Sequence, residues 1–402
     1  MDKPKHFDFV IIGAGLAGVS AMEGIREMDN KGSILLINAE KDLPYHRPPL
    51  TKDLWFGKKK INEIFIHESK FYDDSGISLL SDTKVTTLDL NKKILVDEQG
   101  TQYGFNKALI ATGGIPRKLS IPGNDLEGVY YFRTLNDFQR LHSSISEGKK
   151  VVVVGGGFIG SELAAALNAN KADVTMIFPS PYLCHRVFPD SLGQAIQEHY
   201  IERGVNILTQ DKPASIQKQS DKFIINTTNG KQIESDIVII GAGLMPDLTL
   251  AKNAGLMTDN GIVVNECLET SHTDVYAAGD NAFFPYKSLG KSMRVEHWDN
   301  ALNQGKLAGW NMAGAKDEYT YEPYFFSDLF EFGYEAVGEV DSSLDIFADW
   351  QTENQTGVIY YLKDSKVRGV MMCNVWNKVD VAREIIRQDE QVNVSDLRGA
   401  IK

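Results

Sequence analysis

The chain has 402 residues, 43% of them hydrophobic, so a sizeable core and two or three domains are expected. Its formal net charge is −12 and it carries no long Lys/Arg run, which argues against nucleic acid or an anionic membrane as main partner; Lys58 to Lys60 read as a solvated turn. No apolar run is long enough for a transmembrane helix, and Cys184, Cys267 and Cys373 stand far apart without a paired motif, which argues against a redox disulfide or a metal cage. Only a few residues precede the first apolar run, so the expectation is a cytoplasmic chain in a reducing compartment.

Phe7 to Gly18 reads FDFVIIGAGLAG. An apolar strand, Phe9 to Ile12, meets Gly13, Gly15 and Gly18, and an amphipathic helix follows to about Met28. This is the G-x-G-x-x-G pattern of a dinucleotide-binding turn. Gly13 permits the turn, Gly15 lets backbone approach a pyrophosphate, and Gly18 lets helix and strand pack closely. The helix start then offers free N–H groups to phosphate. A second strand, Ser33 to Asn38, ends beside Glu40, an acid placed to accept from a ribose hydroxyl.

LPYHRPPLTKDLWFGKK comes next, from Leu43 to Lys59. Pro48-Pro49 forbids a regular helix and predicts a stiff extended loop that carries Arg47 and Lys52. Its place after a strand end favours cations held over a cofactor rather than two solvated surface charges. A helix and short strands are expected from Ile61 to Gly104. A buried strand then ends in Ala111, Thr112 and Gly113 of FNKALIATGGIPR.

The pattern restarts at Lys149 with KKVVVVGGGFIG, which places Gly155, Gly157 and Gly160 as a second fingerprint. A helix over Ser161 to Ala169 and a strand over Asp173 to Phe178 come next, and DIVIIGAGLMP closes the unit at Gly243. Two copies of one nucleotide-binding module imply two nucleotides. Thr273 to Asp280 is a strand ending in Gly-Asp, where Asp280 is either a helix N-cap or a cofactor contact. RVEHWDNALNQGKLAGWNMAG predicts a helix of nearly twenty residues starting near Glu296. From Tyr319 onward the texture is a hairpin-rich sheet with a closing helix near Val381 to Arg387. The fold class is therefore α/β, with two Rossmann-like dinucleotide-binding domains and a C-terminal α+β domain. The expected domains are 1–120 with 246–318, 121–245, and 319–402.

LPYHRPPLTKDLWF, VVGGGFIGSELA, RVEHWDNA and FSDLFEFGYEAVGEVDSS together resemble the apoptosis-inducing-factor-like flavoproteins, within the ferredoxin-reductase-like family that carries two dinucleotide-binding domains. The resemblance covers nearly the whole chain. The expected departures from the mitochondrial members are the lack of a targeting leader and a compact C-terminal sheet, so their DNA binding is not carried over. The resemblance implies FAD on the first module and NAD(P)H on the second. By motif, Gly13, Ala14, Gly15, Gly18 and Glu40 would hold the FAD adenosine and phosphates, with Arg47 and Lys52 near the pyrophosphate and flavin. Ala111, Thr112 and Gly113 would line the cofactor, Asp280 the ribityl chain, and Glu296, His297 and Trp298 the flavin ring. Gly155, Gly157, Phe158, Ile159, Gly160 and Gly243 resemble the nicotinamide-nucleotide site. Phe326 stands where the family often has Trp, which keeps an aromatic wall and loses its N–H.

The implied chemistry is hydride transfer from NAD(P)H to flavin N5, then electrons to a ferredoxin-like or rubredoxin-like protein, a quinone or a small acceptor. Lys52, Glu162 and His297 are the catalytic candidates, with Lys52 and Glu162 as an ion pair. Read alone, Glu162 is an acid early in a helix, where acids are favoured anyway, and His297, Trp298 and Phe326 fit a core equally well. The competing function is a redox sensor that recruits a partner or dimerises when NADH reduces it; a monomer and a homodimer both fit. No acid follows the second module's strand, which ends Phe178-Pro179-Ser180, while His185 and Arg186 lie near in sequence. Arg186 falls where many NADH-using relatives also carry Arg, so the expected preference is weak and leans to NADH.

Overall fold

In the computed structural model, which describes residues 4–402, the chain divides into two compact units. The first runs to His46 and adds Ile61–Ile115 and Pro246–Phe325; the second comprises Arg47–Lys60, Pro116–Met245 and Phe326–Lys402.

The first unit is built on a sheet in the order Ile77–Leu80, Ile34–Ile37, Lys5–Ile12 and Gln102–Ile110, all parallel. Val275–Ala277 adds a further parallel strand beside Gln102–Ile110. Ile34–Ile37 is apolar at every position because both faces of the sheet are covered. Two antiparallel strands, Val85–Asp89 and Ile94–Asp97, extend the other end of Gln102–Ile110.

Two helices of this unit, Leu16–Met28 and Trp298–Met312, cross almost backbone to backbone. A Cβ on Gly305 would lie 2.2 Å from the Ala17 carbonyl oxygen, and one on Gly309 would lie 2.1 Å from that of Ala21. The second helix has 15 residues rather than nearly twenty. It begins at Trp298 because His297 is extended, and it stops before Gly314, whose φ of +111° leaves the helical region. Asp280 caps no helix; the chain continues into the strand Ala282–Tyr286.

In the second unit, Arg47–Lys60 does not form the extended loop expected of its prolines. Pro48–Leu50 is a 3₁₀ turn with proline at its first positions, where the missing N–H groups have no intrahelical partner to lose. Trp55 fixes the rest of the segment: its indole donates to the Leu50 carbonyl at 2.8 Å and its ring meets Phe138 edge-on at 5.3 Å. The second module's sheet is fully parallel, in the order Asn206–Leu208, Asp173–Ile177, Lys150–Val154, Ile237–Ile240 and Val129–Tyr131. A three-stranded antiparallel sheet over residues 213–235 packs against it through Ile216, Phe223 and Ile225, which share a core with Val152, Val154 and Ile240.

An antiparallel sheet completes this unit, with Phe332–Gly338, Lys366–Cys373, Thr356–Lys363 and Asp345–Thr352 side by side. Its closing helix is Val379–Gln388, close to the expected span. The strand Asp345–Thr352 carries no local signal of its own, because its residues are half-exposed on both faces and show no alternation. This sheet is tied to the second module: the Tyr361 hydroxyl donates to the Val187 carbonyl at 2.6 Å, and Phe188 meets the fully buried Tyr334 ring edge-on at 5.5 Å.

The glycine crossing gives a test with a reversed sign. Alanine for a mid-helix glycine ordinarily stabilises by about 0.5–1 kcal/mol. Gly305→Ala and Gly309→Ala should instead destabilise the first unit by roughly 1–3 kcal/mol, since the methyl meets backbone that cannot rotate away. Lower urea midpoints for both variants are expected; a rise would show that the helices separate freely.

Candidate active site

Each module turns from its first strand into its first helix through glycine. Gly13 sits at φ +106° and Gly155 at φ +127°, and a Cβ on either would lie 2.3 Å from the carbonyl oxygen of Ala111 or Gly241. Gly18 and Gly160 press on the preceding turns, where a Cβ would meet the Gly13 and Gly155 carbonyl oxygens. Gly15 and Gly157, by contrast, would meet nothing within 4 Å. Each is the N-cap of its helix, with no side-chain cap and no acid in the first turn. The helix Leu135–Ser144 shows what a self-sufficient start looks like: Thr134 and Asp137 form a full capping box. The two glycine-led helices thus leave their N–H groups and positive ends open to an outside anion. That fits the pyrophosphate of a dinucleotide.

In the first unit, Ala14 and Ala111 are buried beside the turn, and the Ala111 N–H donates to the Ile12 carbonyl at 2.8 Å. The Thr112 hydroxyl donates to the Asp247 carbonyl and accepts from the Asn281 amide at 3.0 Å; Gly113 follows it. Glu40 accepts from the Tyr45 hydroxyl at 2.6 Å, which aims its carboxylate. Arg294 pairs with Glu296 and also donates to the Asp280 carbonyl at 3.0 Å. His297 stacks on Phe325 with ring centroids 4.3 Å apart. Desolvation pulls its imidazole down to about 4, against the opposing pull of the Asp280 carboxylate. The Trp298 indole donates to His46 Nδ1 at 3.1 Å, so His46 accepts there as a neutral imidazole.

In the second unit, Lys52 and Glu162 meet. Lys52 Nζ lies 3.3 Å from Glu162 Oε1, with both side chains about seven-eighths buried (14% and 12% exposed). The pair is not alone. Lys52 Nζ is also 3.4 Å from the half-exposed Asp328 carboxylate and 4.6 Å from the centre of the Phe326 ring. Glu162 accepts from the Ser327 hydroxyl at 2.5 Å and the Thr51 hydroxyl at 2.6 Å. Neither charge would be stranded by loss of the other, because Asp328 keeps Lys52 paired and two hydroxyls keep Glu162 satisfied. Phe158 and Ile159 begin the helix that carries Glu162, and Phe158 packs near Tyr334. Gly243 follows the strand Ile237–Ile240, and its carbonyl accepts from the Arg117 N–H at 2.9 Å. The Arg47 guanidinium donates to the Arg133 carbonyl at 2.9 Å.

The residues named from the sequence therefore fall into two sets. Gly13 to Gly18, Glu40, Ala111 to Gly113, Asp280 and Glu296 to Trp298 lie in the first unit, while Arg47, Lys52, Gly155 to Glu162, Gly243 and Phe326 lie in the second. Sequence reading missed Thr51, Ser327, Asp328 and His46. Thr51, Ser327 and His46 flank residues it named and Asp328 lies two residues from Phe326, in RPPLTK, YHRPP and FFSDL, and that nearness was the one available signal.

Residues 7–305 match the family model described as pyridine nucleotide-disulphide oxidoreductase. The chain belongs to this family. A second model, the C-terminal region of mitochondrion-associated apoptosis-inducing factor, matches residues 308–356 and 347–388 of this oxidoreductase. It is 36% identical over 436 residues to the mitochondrial apoptosis-inducing factor 1 of Dictyostelium discoideum, covering 99% of this chain and 81% of that protein. To the rubredoxin-NAD(+) reductase of Pseudomonas putida it is 32% identical, covering 80% of this chain and 83% of that one. A crystal structure of a covalent putidaredoxin reductase–putidaredoxin complex superimposes with TM-score 0.91 at 30% identity, covering 97% and 95% of the two chains.

The oxidoreductase is thus an apoptosis-inducing-factor-like member of the ferredoxin-reductase type, and it uses a flavin and NAD(P)H. Its three cysteines are all free, and burial pushes the Cys184 thiol up to about 12, far from a reactive thiolate. Among the described residues no cluster of three or more His, Cys, Asp or Glu could hold a metal ion, and no helix is long and apolar enough to cross a membrane.

The depressed His297 titration has a definite sign. The unfolded chain takes up this proton near 6.5 and the folded chain only near 4, so stability is full above 6.5 and falls as pH drops through that window. His297→Gln should remove on the order of 2 kcal/mol of this loss. Urea midpoints of both proteins at pH 7.5 and pH 4.5 measure it; equal acid losses would mean the ring is solvated.

Proposed function

We propose that the protein is an FAD-dependent NAD(P)H:acceptor oxidoreductase of the cytoplasm. FAD would be held by the first module and the nicotinamide dinucleotide by the second, with a weak preference leaning to NADH. The observation that carries this reading is the repeated glycine turn, Gly13 and Gly155 in left-handed backbone, followed in each module by an uncapped helix start at Gly15 or Gly157 with open space where a Cβ would stand. The bound flavin would accept hydride from the reduced nicotinamide and release electrons to a ferredoxin-like or rubredoxin-like protein, a quinone or a small acceptor. The three cysteines stand far apart in the chain without a paired motif, which supports release of electrons without a disulfide relay.

The chain's own groups have distinct tasks in this reading. The uncapped N–H groups at Gly15 and Gly157 bind phosphate, and Glu40 accepts from a ribose hydroxyl. Ala111, Thr112, Gly113 and Asp280 line the FAD site, while Glu296, His297 and Trp298 stand by the flavin. Lys52 and Glu162 tune hydride transfer, with Phe326 as the wall on which the ammonium rests. The match to the apoptosis-inducing-factor C-terminal model favours a second reading, a redox sensor whose reduced form recruits a partner or dimerises. Turnover against a panel of acceptors, alongside sizing with and without NADH, separates the two.

The purified protein should be yellow, with one non-covalent FAD per chain; a colourless protein that FAD cannot reconstitute would sink the proposal. Lys52→Ala should keep its FAD yet be reduced by NADH about tenfold more slowly, roughly 1.4 kcal/mol in the barrier. Glu162→Ala should be milder, since Asp328 still pairs with Lys52, and Glu162→Ala with Asp328→Asn should be worse than the sum of the two. Stopped-flow reduction of these variants is the measurement. Additive effects, or a wild-type rate in Lys52→Ala, would make these charges bystanders.

A further inference from the structure

Four backbone hydrogen bonds recur in the two modules and align them residue by residue. Gly13 N–H donates to the Ile37 carbonyl, and Gly155 N–H to that of Ile177, both at 2.9 Å. Asn38 N–H reaches the Leu80 carbonyl at 2.7 Å, and Phe178 N–H that of Leu208 at 3.1 Å. Asp82 N–H reaches the Glu40 carbonyl at 3.0 Å, and Gln210 N–H that of Ser180 at 3.2 Å. Thr83 N–H reaches the Asn38 carbonyl at 3.0 Å, and Asp211 N–H that of Phe178 at 3.3 Å. Even the backbone strain repeats, with φ +52° at Asp82 and +53° at Gln210. Ser180 is therefore the structural counterpart of Glu40.

The exchange of Glu for Ser changes what the site can refuse. A carboxylate at this place accepts from a ribose 2′-hydroxyl and repels a 2′-phosphate. The Ser180 hydroxyl is neutral and donates to the Tyr182 carbonyl at 3.1 Å. No neighbouring acid substitutes for the missing one. From Phe178 to Pro189 there is no Asp or Glu. Asp190 is engaged by the Tyr182 hydroxyl. Asp211 is buried, and its Oδ1 accepts from the N–H groups of Lys212 and Asn229 and from the Thr228 hydroxyl. Two exposed cations lie on the same loops. Lys212 follows Asp211, and Arg186 lies two residues beyond Cys184, whose N–H donates to the Gly156 carbonyl at 2.7 Å.

We propose that the second module accepts 2′-phosphorylated dinucleotides alongside unphosphorylated ones, and that Ser180 is the residue that leaves this open. The proposal rests on the assignment of a nicotinamide dinucleotide to this module. It is tested by calorimetric titration of the protein as purified with ADP-ribose and with 2′-phospho-ADP-ribose, which needs no turnover. Wild type should bind the two within about tenfold of each other. Ser180→Glu should shift the ratio towards ADP-ribose by about tenfold or more, the scale of a hydrogen bond to a charged group. Ser180→Ala should leave the ratio within about threefold of wild type, since no charge is added. Tight ADP-ribose binding with 2′-phospho-ADP-ribose more than about a hundredfold weaker in wild type would overturn this proposal alone. So would an unchanged ratio in a Ser180→Glu protein that melts like wild type. Failure of both probes to bind wild type would overturn the dinucleotide assignment and this proposal together.

Discussion

A helix that begins without a cap presents unsatisfied N–H groups and a positive end, and the fold must answer that demand with water or with an anion. Most helices among the described residues begin without a side-chain cap, and two of them, those led by Gly15 and Gly157, are each set by a glycine turn pressed against a strand carbonyl. The turn holds the helix start at the strand end. The strand order then brings the following loops to the same end of each sheet, which is where parallel α/β sheets bind their ligands. The close crossing of Leu16–Met28 with Trp298–Met312 holds the first of these helices in place from its other side.

The charge cluster of the second unit obeys a different logic. One ammonium faces two carboxylates and an aromatic ring, and two hydroxyls satisfy the more buried carboxylate. A partly buried pair with one contact each is brittle, because removing one partner strands the other. Sharing spreads that risk across Thr51, Ser327 and Asp328. It also holds Lys52 in one place, since Trp55 fixes the loop behind it and Glu162 and Asp328 fix its tip.

Much of this was legible in the sequence because glycine spacing and apolar runs are local signals. Gly13, Gly15 and Gly18 together with FDFVII specify strand, turn and helix within a dozen residues, and the second copy does the same. What escaped was tertiary. The partners of Glu162 come from 111 residues before it and 165 after it, and no local pattern marks them. The proline pair was misread because proline forbids a long helix but suits the first turn of a short one. The strand Asp345–Thr352 carries no local signal because half-exposure on both faces erases the alternation that marks a strand.

The glycine crossing in the first unit also fixes an order of events during synthesis. The N-terminal helix finds its partner glycines only at Gly305 and Gly309, and the sheet gains its last parallel strand only at Val275–Ala277. The whole parallel sheet of the second module, complete by Ile240, leaves the ribosome before either. The usual expectation, that the N-terminal domain folds first, does not apply simply to a unit that is completed only by residues made after the second module's parallel strands. Until Trp298–Met312 is made, the face of Leu16–Met28 that Gly305 and Gly309 cover has no partner helix.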